Sequence, residues 1–159
     1  MAKSPYAFAG RGHRRLGPSQ EWSAADGAWV ERTVTADGGL WIEPWVAIEA
    51  EFALHGYVTR DGTVIGEPTM TVNAPSGAWV RSERVDGGSL LGGGGRQLRE
   101  ALIETAGALV DLGYWGPFGI DAHRHRLADG SAGFCARSDV NARYTMGWAV
   151  GMGDLRPDL

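Results

Sequence analysis

Residues 139–147 read DVNARYTMG, which sets an acid, an amide and a guanidinium two residues apart, with only Val140 and Ala142 between them. Alternate side chains of a strand share a face, so a strand here directs Asp139, Asn141 and Arg143 to one side. Upstream, GPFGIDAH (residues 116–123) carries Asp121, and Asp129-Gly130 marks a turn between the two stretches. Together they predict a hairpin whose antiparallel pairing sets Asp121 beside Asp139. Two carboxylates and an amide around one point repel one another unless a cation lies among them. Asp and Asn offer the oxygen ligands that Mg²⁺ takes, and Arg offers a planar fork suited to phosphate. The plainer alternative is the solvated side of a half-buried strand.

Working outward, Leu98, Leu102, Thr105, Leu109 and Leu112 recur at three- and four-residue steps, so a helix is expected there, closed by Gly113 and preceded by a flexible Gly92–Gly95 link. A shorter helix is expected over 25–39, with Ala28, Trp29, Val30 and Val34 on helical spacing and Gly38-Gly39 as its stop. Residues 49–72 read as two strands joined at Asp61-Gly62, and GAWVRSERV as another strand after a turn. YTMGWAVGM reads as a short terminal helix. Strands in hairpins with helices between them make the class α+β.

Composition narrows the function. The 159 residues suffice for one domain with a real core, and a hydrophobic share of 43% is that of a globular chain. A net charge of −4 argues against nucleic acid as partner. No apolar run has the length of a membrane span, and the N-terminus lacks the apolar core of a secretory signal. Cys135 is the sole cysteine, which excludes an internal disulfide and fits a reducing cytoplasm. His123 and His125 alternate on the Asp121 strand. They read as solvent-facing or hydrogen-bonded groups, with a zinc pair as the rival. The seven tryptophans read mostly as core or edge packing.

The stretches GPFGIDA and SDVNARYTMG resemble the C-terminal signature of the ATP-grasp superfamily. That resemblance implies Asp121, Asp139 and Asn141 as ligands of the magnesium of Mg-ATP, and Arg143 as a catalytic contact to phosphate or the carboxylate substrate. The middle ligand of that set is usually Glu; here it is Asp139, one methylene shorter. LWIEPWVAIEAEF (residues 40–52) resembles the adenine hinge, which implies Glu43, Trp45 and Val46 at the adenine and Glu51 at the ribose, with Glu49 as rival. KSPYAFAGRG (residues 3–12) resembles the loop over the ATP phosphates, which implies Lys3, Gly10, Arg11 and Gly12 there.

The pieces run in family order from Lys3 to Gly147. They imply an ATP-grasp-like fold: a mixed or antiparallel sheet with helices, residues 1–46 forming a partial ATP lid and hinge and 47–159 the C-terminal subdomain, in one compact unit. The resemblance also implies that the substrate domain and part of the lid preceding Lys3 are missing. The expected activity is that of a carboxylate–amine or carboxylate–thiol ligase half, with ATP and Mg²⁺ as cofactors and a small carboxylate as substrate. The alternative is a non-catalytic nucleotide-binding or assembly module. An uncovered lid edge implies a homo-oligomer or a complementary chain.

Overall fold

The computed structural model describes residues 1–6, 12–17, 21–75, 78–86, 90, 93–127 and 129–159. It divides into two compact units, Met1–Val46 and Ala47–Leu159. Gly10 and Arg11 lie outside the described residues.

Among its described residues the first unit holds three short strands, β1 (Ala2–Lys3), β2 (His13–Arg14) and β3 (Trp41–Ile42), and one helix, α1 (Ala24–Asp37). The sheet order is β2-β1-β3, all antiparallel. Helix α1 starts where Ser23 and Asp26 cap each other reciprocally, the Ser23 side chain taking the Asp26 N–H and the Asp26 carboxylate the Ser23 N–H. It stops at Gly38, whose φ of 77° no β-carbon hinders. Its buried residues are Trp29 and Thr33, and the Thr33 hydroxyl donates to the Trp29 carbonyl. Val34, placed on the apolar face by spacing, is exposed instead.

The second unit is built on β4 (Ala47–Thr59), β5 (Gly62–Ile65), β6 (Thr69–Asn73), β7 (Trp79–Arg84), β8 (Gly116–Arg126) and β9 (Ala132–Asn141). Their order is β7-β6-β4-β8-β9, with β5 pairing to β4 beyond that path. Residues 49–72 thus form parts of three strands rather than two, because Gly66-Glu67-Pro68 interrupts the run and proline cannot donate to a ladder. The β4–β5 turn is Arg60-Asp61, one residue earlier than the Asp-Gly pair suggested; Thr59 and Gly62 are already partners.

Helix α2 (Gly94–Asp111) covers one face of this sheet. Leu98, Ala101, Leu102, Thr105 and Ala106 are buried at helical spacing against Phe52, Leu54, Phe118 and Ile120. It begins inside the glycine run, at Gly94, so Gly94 and Gly95 are helix rather than linker. Leu112 falls after its end and is 83% exposed. The short helix α3 (Trp148–Met152) packs on the opposite face, against β4 and β7. Burial by tryptophan is scarce: Trp22, Trp41, Trp45, Trp79 and Trp115 are all exposed, five of the seven. Among the described residues, no helix is long and apolar enough to cross a membrane.

Candidate functional site

The β8–β9 hairpin pairs Asp121 with Asp139 and Gly119 with Asn141. Cross-strand partners and alternate residues share a face, so Asp121, Asp139 and Asn141 share the face away from α2. The Asn141 amide nitrogen donates to Asp121 Oδ2 at 3.1 Å. Arg143 lies beyond the end of β9, in a bend rather than on the strand, which corrects the extended reading of 139–143. It reaches the cluster nonetheless, its Nη2 donating to Asn141 Oδ1 at 2.8 Å. A chain of contacts therefore runs from Arg143 through Asn141 to Asp121.

Glu51 joins this face from β4. Its strand partner on β8 is His123, two residues from Asp121, and it accepts a short hydrogen bond from Asn73 on β6. The charge balance shows in Asp121. Burial is the main cause that pushes its carboxyl up to about 6, with the Asp139 carboxylate opposite next; the Asn141 hydrogen bond pulls the other way, and Glu51 adds a further push.

Glu49 and Glu51 take opposite surroundings. Glu49 sits at a bulge of β4 and binds Arg124 at 3.2 Å and Arg126 Nε at 2.8 Å. Those arginines alternate with His123 and His125 and belong to the α2 side. The Arg126 hydrogen bond, first, holds the Glu49 carboxyl below its ordinary range.

The hairpin is irregular between Asp121 and His123. Residues 136–138 of β9 face Ala122 alone, and beyond that bulge Cys135 is the partner of His123. The rings of His123 and His125 lie 5.1 Å apart, and the His125 ring rests over Gly133, where a β-carbon would stand 2.4 Å from Nε2. Among the described residues, no three acidic, histidine or cysteine side chains converge as a metal cage. The donor set on the Asp121 face is instead two carboxylates and an amide. That fits Mg²⁺ bound together with phosphate, which uses one or two protein carboxylates and takes its remaining oxygens from phosphate and water.

In the first unit, Lys3 Nζ and Glu43 Oε2 form an ion pair at 2.5 Å, because β1 and β3 are neighbours and Lys3 is the partner of Trp41. The Glu43 backbone closes the same edge, its N–H donating to the Met1 carbonyl at 2.9 Å. The Arg15 guanidinium lies 4.5 Å from the centre of the Trp45 ring, a cation–π contact. Val46 ends the unit. Gly12 has a φ of 73°, and its carbonyl accepts the Ser4 N–H at 3.0 Å. Next to it is a cleft of about 470 Å³ lined by Gly12, His13, Arg14, Arg15, Asp26 and Trp29. Arg14 is held there by Asp26 at 2.8 Å and lies 5.4 Å from the Trp29 ring centre. Sequence reading passed over His13, Arg14 and Arg15, although three consecutive basic residues after a glycine loop were there to see.

No protein-family model matches the chain, and no curated protein matches it by sequence. Solved structures do resemble it. A carboxyaminoimidazole ribonucleotide synthase from Aspergillus clavatus, solved with ATP, aligns over 91% of this chain with 20% identity and a TM-score of 0.55. An N5-carboxyaminoimidazole ribonucleotide synthetase solved with ADP aligns over 77% of it, with 20% identity and a TM-score of 0.40. The chain spans about a third of the length of each, 34% and 30%. Among the described residues, antiparallel sheets and three helices make an α+β fold, and it is the ATP-grasp-like fold of the ATP-bound synthase that this chain resembles.

Proposed function

We propose that this chain is the Mg-ATP-binding part of an ATP-grasp ligase, one that joins a carboxylate to an amine or thiol through an acyl-phosphate. The observation that carries the reading is the register pairing of Asp121 with Asp139, with Asn141 and Glu51 on the same face. Like charges held this close and partly desolvated are costly without a cation.

Asp121, Asp139 and Asn141 are the residues that would hold magnesium, and the ion would supply charge neutralisation for the phosphoryl group. The chain's own part is electrostatic and positional. Arg143 holds the Asn141 amide oxygen and offers its fork to phosphate. Lys3, Gly10, Arg11 and Gly12 are assigned to the phosphates and Glu43, Trp45 and Val46 to adenine. Glu51 is assigned to the ribose. That its carboxylate lies on the Asp121 face favours it over Glu49, which two arginines already engage. We propose further that it works in the cytoplasm, as a self-associating chain or with a complementary one.

A second reading, nucleotide binding without turnover, is favoured by Asp139, whose shorter arm limits bridging between two ions. Calorimetry with ATP in the presence and absence of Mg²⁺ tests the first step. Binding that needs Mg²⁺ and is weakened in Asp121→Asn supports the site, and no heat at millimolar ATP in either condition removes it. Light scattering against concentration tests self-association, and a concentration-independent 17.0 kDa species would refute it.

A further inference from the structure

His55 is 1% exposed in the middle of β4, the central strand of its sheet. Its register partner on β8 is Gly119, and the partner of Gly119 on β9 is Asn141. A β-carbon on Gly119 would stand 3.0 Å from His55 Cδ2, so the bare glycine gives the ring its place on that row. The C-terminal segment closes over the imidazole. A β-carbon on Gly147 would lie 3.1 Å from Cε1, and one on Gly151 would lie 2.5 Å from Nδ1. Trp148 meets the ring edge-on, at 6.2 Å and 79°. Three glycines and a tryptophan thus enclose one polar ring.

A leucine would fill such a space without burying polar atoms, and one nitrogen of this imidazole, Nδ1, has no hydrogen-bond partner among the described residues. The other, Nε2, shares a hydrogen bond with Thr145 Oγ1 at 2.8 Å. Holding Thr145 is what the imidazole does and a leucine could not. Thr145 lies in the turn between β9 and α3, two residues after Arg143. The turn is tied at one end by the Arg143 N–H to the Asn141 carbonyl, and at the other by the Trp148 N–H to the Thr145 carbonyl. Between these ties, among the described residues, the His55 contact fastens the Thr145 side chain to the sheet.

We infer that His55 is a positioning residue for the phosphate end of the site. Through Thr145 it fixes the turn that carries Arg143, and so the Asn141 amide that Arg143 holds. The inference rests on the Mg-ATP reading above.

The test uses the whole chain and two variants, Thr145→Val and Thr145→Ser, titrated with Mg-ATP by calorimetry beside thermal unfolding. Valine keeps the shape and loses the hydrogen bond; serine restores the bond. Thr145→Val should weaken Mg-ATP binding about three- to tenfold, the effect of one lost hydrogen bond. Thr145→Ser should return to within about twofold of the unaltered chain. A purely structural role would lower thermal stability in the valine variant and leave affinity alone. Equal affinities for all three chains, or serine as weak as valine, overturn the inference and leave the nucleotide reading standing. An unaltered chain that takes up no Mg-ATP overturns both.

Discussion

Asp121 and Asp139 face one another across the β8–β9 register, and the carboxyl of Asp121 is pushed up to about 6 by burial first and by its partner's charge second. Asp139→Asn removes one of the two charges and keeps the shape. In EDTA the variant should be more stable than the unaltered chain by about 0.5–1 kcal/mol, the usual size of a like-charge pair set directly opposite in a sheet. With Mg-ATP it should gain less stability than the unaltered chain does. Thermal unfolding in both conditions reads the two opposite signs, and His123→Ala serves as the control that leaves the magnesium response in place. A variant that is less stable in EDTA would mark the pair as ordinary strand surface.

The pH dependence of stability combines two opposing groups. Burial lowers His55 from 6.5 to about 4, so between those values the unfolded chain binds the extra proton and stability rises with pH. Asp121 is raised from 3.8 to about 6, so across that window the folded chain binds the extra proton and stability falls with pH. Each amounts to roughly 2 kcal/mol between pH 4.5 and 6.5, and they nearly cancel. The unaltered chain in EDTA should therefore show a flat urea midpoint over this range. Asp121→Asn should show a midpoint that climbs with pH, by the His55 contribution alone. Parallel curves for the two chains would contradict the environment assigned to Asp121.

Gly56→Ala tests the packing under the sheet. A β-carbon there would stand 2.7 Å from the ring of Phe118, which is fully buried, and 3.3 Å from the Val64 carbonyl. Overpacking of this kind costs about 1–3 kcal/mol, and chemical unfolding should show that loss. Gly107→Ala in α2 has nothing within 4 Å of the new carbon and should be neutral or stabilising.

Ser23→Ala reports on the first unit. It removes the hydroxyl half of the reciprocal cap on α1 and should cost about 1 kcal/mol. Hydrogen exchange should register the loss in residues 24–37 and leave α2 protected as before. Equal loosening of both helices would show that the two units unfold together.

Much of this was legible in the sequence because the signals were local. The leucine spacing fixed α2, Gly38 its counterpart's end, and the 116–141 pattern the hairpin that aligns Asp121 with Asp139. The remainder depends on contacts distant in the chain. The β9 bulge, which exchanges Arg137 for Cys135 beside His123, has no mark in the residues that form it. His55 reads as an unremarked polar residue within an apolar run until Thr145, ninety positions later, is seen against it. The division of Glu49 and Glu51 between two faces follows from a second bulge, between Ile48 and Ala50. The tryptophans misled for a different reason: aromatic content marks apolar surface without saying whether the described fold covers it.

The same β9 bulge uncouples the two ends of its hairpin. Toward Arg126 and Ala132 the strands keep one alignment, and toward Asp121 and Asp139 they keep another, with residues 136–138 as the joint. The tip, around Asp129-Gly130, lies on the other side of that joint from the acidic pair. The tip is therefore the place to insert a reporter: a fluorophore or short epitope at residues 129–131 lies at the far end of the hairpin from the site and leaves its carboxylates in register.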